Sequence, residues 1–260
     1  MTKPVVWDVF PYHNEELILD IRRRELRDDR FQIRHLPIEA NLTIMGTERD
    51  WALDDSFKLI LPPGAPEWTP TQREDALRDA TPWALGLVHA APADYVLVGD
   101  VDEIPHGGAI QDAMDADAED GPTVHCLRLP YHSLLATWRL PLKSDQWNFR
   151  WPLIGTVQAF GSCDWAAMRA ASGDYHHIDN AGWHLSSMGG PDVVLPKVAA
   201  FAHAGEPWTD GLDADRLRDL AARGRDIADR FTQERVPSWE LPFALIEEPD
   251  RYRALLEVCW

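Results

Sequence analysis

Asp100, Asp102 and Glu103 fall within four residues, directly after the apolar run from Tyr95 to Val98, in the stretch ADYVLVGDVDEIPHGG. Carboxylates set this closely repel one another, and each disfavours ionisation of the next unless a counter-charge is present. In extended chain Asp100 and Asp102 point to one side and Val101 to the other. Two such acids offer the hard oxygen donors that Mg2+ or Mn2+ takes while leaving room for water and a diphosphate. An ion held there would stabilise negative charge building up on a departing phosphate. The plainer alternative is a solvated turn after a strand, which Pro105 ends abruptly.

These acids need a scaffold, and the first hundred residues supply one. PVVWDVF is a β-branched and aromatic run, predicted as a strand that stops at Pro11. NEELILDIRRREL follows, with Leu17, Ile18, Ile21 and Leu26 at helical spacing and acids in the first turn, where the helix dipole favours them. FQIRHLPIEA and FKLILPP are the next two strands, the former weakened by Pro37. PTQREDALRDATPWALGLVHAA reads as one long helix kinked or broken at Pro82. DYVLVGDVD completes the series with the continuous apolar body of a central parallel strand. The order β-α-β-β-α-β gives an α/β sheet with crossover helices, whose ligands gather outside the carboxyl ends of the strands. YHNE, IEA and DVDE each lie at or just past such an end.

Further on, IQDAMDADAED is a helix ending at Gly121, VHCLRLPYHSLLATWRL is strand material and PLKSDQWNFRWPLIG a long loop. DADRLRDLAARGRDIADRF is an amphipathic helix. No repeat or linker divides the chain, so one domain over 1–260 is expected. Its parts are an α/β half over 1–105, a second half over 106–210 and a helical C-terminal extension over 211–260.

The 260 residues carry 43 acids against 25 lysines and arginines, a net charge of −18, which disfavours nucleic acid and anionic membranes as partners. Three scattered cysteines suit reduced thiols better than a disulfide framework. The absence of a signal-like start and of any apolar run of about 18 residues suggests a cytoplasmic protein. Of 12 tryptophans, five lie between Trp138 and Trp183, where they either fill core or stack on sugar rings.

FPYHNEELILDIRRREL, IEANLT, QREDALRDA, DVDEIP and GWHLSSMGG…KVAAFAH occur in the order seen in glycosyltransferase family 17, the family of the enzyme that adds the bisecting β-1,4-linked N-acetylglucosamine to N-glycans. The chain resembles that family from about Val5 to His203, which implies that 1–105 is a nucleotide-sugar-binding half and 106–210 an acceptor half. The resemblance implies a GT-A-like α/β architecture and an inverting, metal-dependent glycosyltransferase using Mn2+ or Mg2+ and a nucleotide-sugar, a UDP-sugar by preference. It places Pro11, Asn14 and Glu15 near the nucleotide, Glu39 and Thr43 near ribose or base, and Arg73 and Arg78 toward the diphosphate. Asp100 and Asp102 match the metal motif, with Asp100 also on the donor side. Trp183, His184 and His203 match the C-terminal signature, with Trp183 expected against the donor and the two histidines at the ion. Read without the family, Asn14 and Glu15 are a helix cap with a favourable first-turn acid, Arg73 and Arg78 are solvated helix charges, and His184 is a hydrogen-bonded interior residue. This chain also has Met45 where the family pattern has a small or polar residue.

An inverting transfer needs a base for the acceptor hydroxyl. Glu103, beside the metal motif, and Glu206, after FAHAG, are the candidates, with Asp145 and Asp164 behind them. The acceptor is a carbohydrate or another hydroxyl compound. Three other readings stand beside the transferase: a non-catalytic carbohydrate- or nucleotide-sugar-binding protein, a Mg2+-dependent phosphate hydrolase, and a viral-type transferase acting on modified DNA bases.

Overall fold

Val6, Trp7, Val9 and Phe10 are all buried, as expected of a strand covered on both faces. Asp8, in the middle of that strand, is buried as completely as they are. The computed structural model describes residues 3–141, 151–161, 164–200 and 206–260. Asp145, Trp147, Cys163 and His203 lie outside the described residues.

In chain order the strands are β1 (Val5–Pro11), β2 (Gln32–Ala40), β3 (Phe57–Leu59), β4 (Tyr95–Val98), β5 (Glu103–Pro105), β6 (Val124–Leu127), β7 (Tyr131–Ser133), β8 (Trp138–Arg139), β9 (Leu153–Thr156), β10 (His176–Ile178), β11 (Gly182–Ser186) and β12 (Glu234–Arg235). The helices are α1 (Glu16–Glu25), α2 (Pro70–Asp79), α3 (Thr81–Leu87), α4 (Gly107–Asp120), α5 (Val157–Phe160), α6 (Trp165–Ala170), α7 (Pro191–Ala200), α8 (Ala214–Ala222), α9 (Phe243–Glu247) and α10 (Arg253–Leu256). Among the described residues seven strands form the main sheet in the order β10-β6-β9-β4-β1-β2-β3. Only β9 runs antiparallel to its neighbours. The expected α/β class is therefore the observed one.

From β1 the chain steps to β2 and β3 on one side and returns to β4 on the other. The carboxyl ends of β1 and β4 thus flank the point where the order reverses, the position at which open α/β sheets form a crevice. A small sheet, β5-β11-β7, stands beside that edge. The main core lies around the large sheet and includes Ile38, Val96, Leu97, Ile110 and Ile154. A second core packs Ile18, Leu19 and Ile21 of α1 against Val236, Leu245, Tyr252 and Leu255. The C-terminal extension therefore buries the outer face of the helix that follows β1, rather than standing apart.

Three dimensions settle two local readings and change two others. Pro37 sits within β2, because it pairs with Phe10 where β3 has not yet begun. Ile38 turns its carbonyl to Tyr12, so alternation points the donor-less Pro37 nitrogen to the unpaired side. The long helix is two, α2 and α3, broken at Ala80 with Pro82 in the first turn of the second. Leu153–Thr156, expected as loop, is β9, buried along its length between β4 and β6. The amphipathic helix stops at Ala222: Gly224, at φ 63°, takes the left-handed cap, and Arg225 then bridges Thr232.

Candidate active site

DVDEIP and GWH are mates in one small sheet. β11 pairs antiparallel with β5, setting Gly182 opposite Pro105, Trp183 opposite Ile104 and His184 opposite Glu103. Gly182 is needed for the closeness of that pairing, since a Cβ there would meet the Ile104 carbonyl oxygen at 2.1 Å. The Leu185 amide also donates to the Asp102 carbonyl at 2.8 Å. His184 consequently projects beside the acids although it lies some eighty residues from them in the chain.

The turn that carries the acids is held from beneath by Arg22 of α1. Its guanidinium donates to both oxygens of Asp8, at 2.6 and 2.9 Å, and to the carbonyls of Asp100 and Glu103, at 3.0 and 2.5 Å. His35 Nδ1 lies 2.7 Å from Asp8. Burial pushes the Asp8 carboxyl up, but Arg22 and His35 outweigh it and hold the group at about 2.

Above the turn is a cavity of about 660 Å³, in the size range of small-molecule sites. Six carboxylates line it (Glu15, Glu74, Asp100, Asp102, Glu103 and Glu206) against four cations (Arg78, Arg169, Lys197 and Arg230). Carboxylates thus outnumber lysines and arginines among the described lining residues. His13, Tyr131 and His184 complete its polar wall. A larger cavity, about 1220 Å³, opens at the amino ends of β1 and β2 around Lys3, Gln32 and Arg27. It lies at the edge of the sheet away from the acid turn, so the smaller cavity is the candidate site.

Each acid has a definite partner. Asp100 accepts from Arg78 at 3.1 Å and from Arg169 at 2.8 Å. Burial raises its pKa, but the two guanidinium groups hold it well below the carboxylate range. Glu103 is fully buried, with Arg169 2.7 Å from each oxygen and the Asp100 amide donating to it at 2.7 Å. Lys197, from the last turn of α7, lies 3.2 Å from Glu15 Oε1 and 3.3 Å from Asp102 Oδ2. Against the opposing effect of burial, these carboxylates push the ammonium above its usual range, and Lys197 in turn holds Glu15 below its own. His184 Nε2 stands 3.8 Å from Asp102 Oδ1. Burial lowers His13 to about 4, and its Nδ1 faces the Arg49 guanidinium at 3.0 Å.

Most of the remaining expected site residues are placed elsewhere. Arg73 is buried, its guanidinium spent on the carbonyls of Ile44, Ala65 and Trp68, so it ties a loop rather than facing the cavity. Glu39 is likewise engaged by Arg49, Ser56, Lys58 and the amides of Ala52 and Leu53. Thr43 accepts from the Thr47 amide in a tight turn. Asn14, at φ 72°, accepts from Arg49. Trp183 donates its indole N–H to the Glu240 carbonyl at 2.7 Å. Trp151 and Trp165 are core, the latter stacked on Phe160 with ring centroids 4.4 Å apart. Pro11 lines the cavity, as does Glu206, whose carboxylate accepts from Trp208. Asp164 caps α6 by accepting from the Ala167 amide.

Arg22, Arg169 and Lys197 were not singled out from sequence. Lys197 did stand in the KVAAFAH stretch, and Arg22 in DIRRREL.

Carboxylates and an imidazole of the kind that Mg2+ or Mn2+ accepts line the cavity, but Asp102, Glu15 and His184 are not gathered on one point. The Lys197 ammonium lies between the Glu15 and Asp102 carboxylates. Among the described residues no three His, Cys, Asp or Glu side chains already converge on one point. Asp100, expected as a ligand, has both oxygens on arginines and does not belong to the set.

No family model matches the sequence, and no curated protein matches it. Two solved structures are similar at low identity. One is S. aureus TarS 1-349, 14% identical over 62% of this chain and 48% of that chain, with a TM-score of 0.35. The other is 4-diphosphocytidyl-2C-methyl-D-erythritol synthase, 12% identical over 75% of this chain and 97% of that chain, with a TM-score of 0.40. The chain thus spans about half the length of the first. Likeness at this level carries no argument about activity, and the α/β assignment rests on strand order and register. Among the described residues no helix is long and apolar enough to cross a membrane.

Proposed function

We propose that the protein is a glycosyltransferase that moves a sugar, with inversion, from a nucleoside diphosphate to a hydroxyl acceptor. One observation carries this reading: the cavity at the carboxyl ends of β1 and β4 gathers the DVDEIP acids, Glu15, His184 and a set of cations around a space sized for a nucleotide-sugar. The resemblance of the motifs to glycosyltransferase family 17 supports the same reaction and makes UDP-N-acetylglucosamine the first donor to try.

In this reading the acceptor oxygen bonds to the anomeric carbon as the bond from that carbon to the diphosphate oxygen breaks. The electron pair leaves with the nucleoside diphosphate, and the hydroxyl proton passes to a carboxylate. Glu206 is the better base of the two candidates, because it stands at the cavity wall on the exposed side. Glu103, sealed against Arg169, is a positioning residue that fixes Asp100 and the turn. Arg78 and Lys197 offer positive charge to the departing diphosphate, where preorganised charge is most effective.

The test is thermal unfolding with UDP-, GDP-, ADP-, CDP- and dTDP-sugars, with and without Mn2+, followed by assay of nucleotide release on adding hydroxyl acceptors. Stabilisation by one nucleotide family, with release that Asp102→Asn abolishes, is expected. No stabilisation by any of them rejects the reading, and stabilisation without turnover leaves a binding protein.

A further inference from the structure

Three of the four lysines and arginines on the cavity wall are already spent on acids. Arg78 donates to Glu74 and Asp100, Arg169 to Asp100 and Glu103, and Lys197 lies between Glu15 and Asp102. Arg230 is held differently. Its Nε donates to Asp226 Oδ2 at 3.2 Å, and among the described residues neither terminal guanidinium nitrogen meets an acceptor. The side chain is 55% exposed, so a ligand reaches those two nitrogens without displacing a protein partner.

The group is nevertheless anchored. Asp226 is completely buried, and its other oxygen accepts from the Phe231 amide at 2.6 Å. The Arg230 guanidinium lies over the Phe231 ring, 5.2 Å from the centroid. A buried carboxylate on one nitrogen and an aromatic face beneath fix the guanidinium plane, which lowers the ordering cost of binding. The loop itself is closed by the bridge between Arg225 and Thr232. Gln233 docks it on β7 by exchanging two hydrogen bonds with the Ser133 backbone, at 3.1 and 3.3 Å, and the Ile227 amide donates to Ser133 Oγ. Strand β7 pairs in turn with β11, setting Tyr131 opposite His184. Arg230 thus reaches the cavity from a wall built independently of the acid turn.

Two side-by-side N–H donors of fixed plane match two oxygens of a phosphoryl group, which a lysine ammonium cannot do. A diphosphate entering among six carboxylates meets repulsion, and cations already paired to those carboxylates offset it only in part. A cation with uncommitted donors is what such a ligand requires.

We propose that Arg230 binds the phosphate oxygens of the nucleoside diphosphate, its terminal nitrogens donating to two of them while Asp226 holds the guanidinium from behind. The identity of the ligand rests on the nucleotide-sugar reading; the preference for an oxyanion rests on the geometry of Arg230.

Titration calorimetry with UDP, with uridine and with inorganic pyrophosphate, on the wild type, Arg230→Met and Arg230→Lys, tests the assignment. The Met variant is expected to bind UDP and pyrophosphate about tenfold more weakly. The Lys variant keeps the charge without the fork, so it should recover only part of that affinity. Uridine, which carries no phosphate, should bind all three proteins alike. Equal UDP affinity in the wild type and the Met variant overturns the assignment. So does an equal loss for uridine and UDP, which would mean that Arg230 only shapes the pocket. A cooperative melt verifies that both variants are folded. Should the wild type bind pyrophosphate but none of UDP, CDP, GDP, ADP and dTDP, the nucleotide-sugar reading falls and Arg230 stands as an oxyanion site. Should UDP bind while pyrophosphate binds wild type and Met variant alike, or neither, Arg230 falls and the nucleotide-sugar reading stands.

Discussion

Two ion-pair networks lie on opposite sides of the Asp100–Glu103 turn, and they differ in almost every respect except their ingredients. Below the turn, Asp8 and Arg22 are completely buried and matched, one carboxylate to one guanidinium, with His35 on the second oxygen and turn carbonyls taking the remaining donors. Above it, six carboxylates face four cations around a cavity, and Asp100 is about one-third exposed, at 32%. A buried pair that lost its balance would be costly, which is why the lower network is closed and balanced. An open cluster whose acids face a cavity is accessible to a ligand in a way that the closed pair is not. Similar residue types thus serve as a scaffold on one side and as chemistry on the other, and the deciding variables are stoichiometry and access to a cavity.

Breaking the lower network should have the largest effect. Arg22→Met leaves Asp8 buried without its cation and orphans the carbonyls of Asp100 and Glu103, so a loss of about 3–5 kcal/mol in chemical denaturation is expected. A loss below about 1 kcal/mol would mean that the turn is held by something else. In the upper network the signs reverse. Asp102→Asn is expected to leave the melting temperature within a few degrees of wild type but to cut turnover by about 10³-fold, a difference read by comparing melts with nucleotide release. If both quantities fall together, Asp102 belongs with the scaffold and the contrast fails.

Acid sharpens the comparison further. Asp8 is depressed from 3.8 to about 2 in the folded protein, so its contribution to stability is full above pH 4 and is lost as the pH falls toward 2. That contribution is about 2 kcal/mol for a fully buried group, and wild type should lose it across this window in urea unfolding at stepped pH. Asp8→Asn, weaker at pH 7, should lack that part of the slope, and an identical slope would remove Asp8 from the account. The smallest effect is expected at the rim. Glu74 pairs with Arg78 at 2.8 Å at the cavity wall, and Glu74→Gln should cost about 0.5 kcal/mol in the same unfolding assay. A much larger loss would make the upper network structural as well.

Much of this contrast was hidden in the amino-acid sequence, and for a definite reason. The α/β order, the break at Pro82 and the gathering of Glu15 and DVDE at strand ends were all legible, because each depends on periodicity, a missing donor or strand direction within a few neighbouring residues. The family resemblance put Arg73, Glu39 and Thr43 at the site, and a motif match looks alike whether the side chain faces a cavity or ties a loop. Sequence reasoning passed over Arg169 and Lys197, whose acidic partners lie 69 and 95 residues away. It also missed β9, whose burial on both faces comes from β4 and β6 rather than from any pattern of its own.

By itself, then, the sequence determined the class of the sheet, the edge at which polar groups collect and the carboxylates on the β4 turn, all products of local sterics and short-range hydrophobic pattern. Only the tertiary structure decided which acids are sealed into the scaffold and which line the cavity. Charge compensation acts between elements distant in the chain, so the choice between scaffold and site was made when α1, α6 and α7 packed around a single turn.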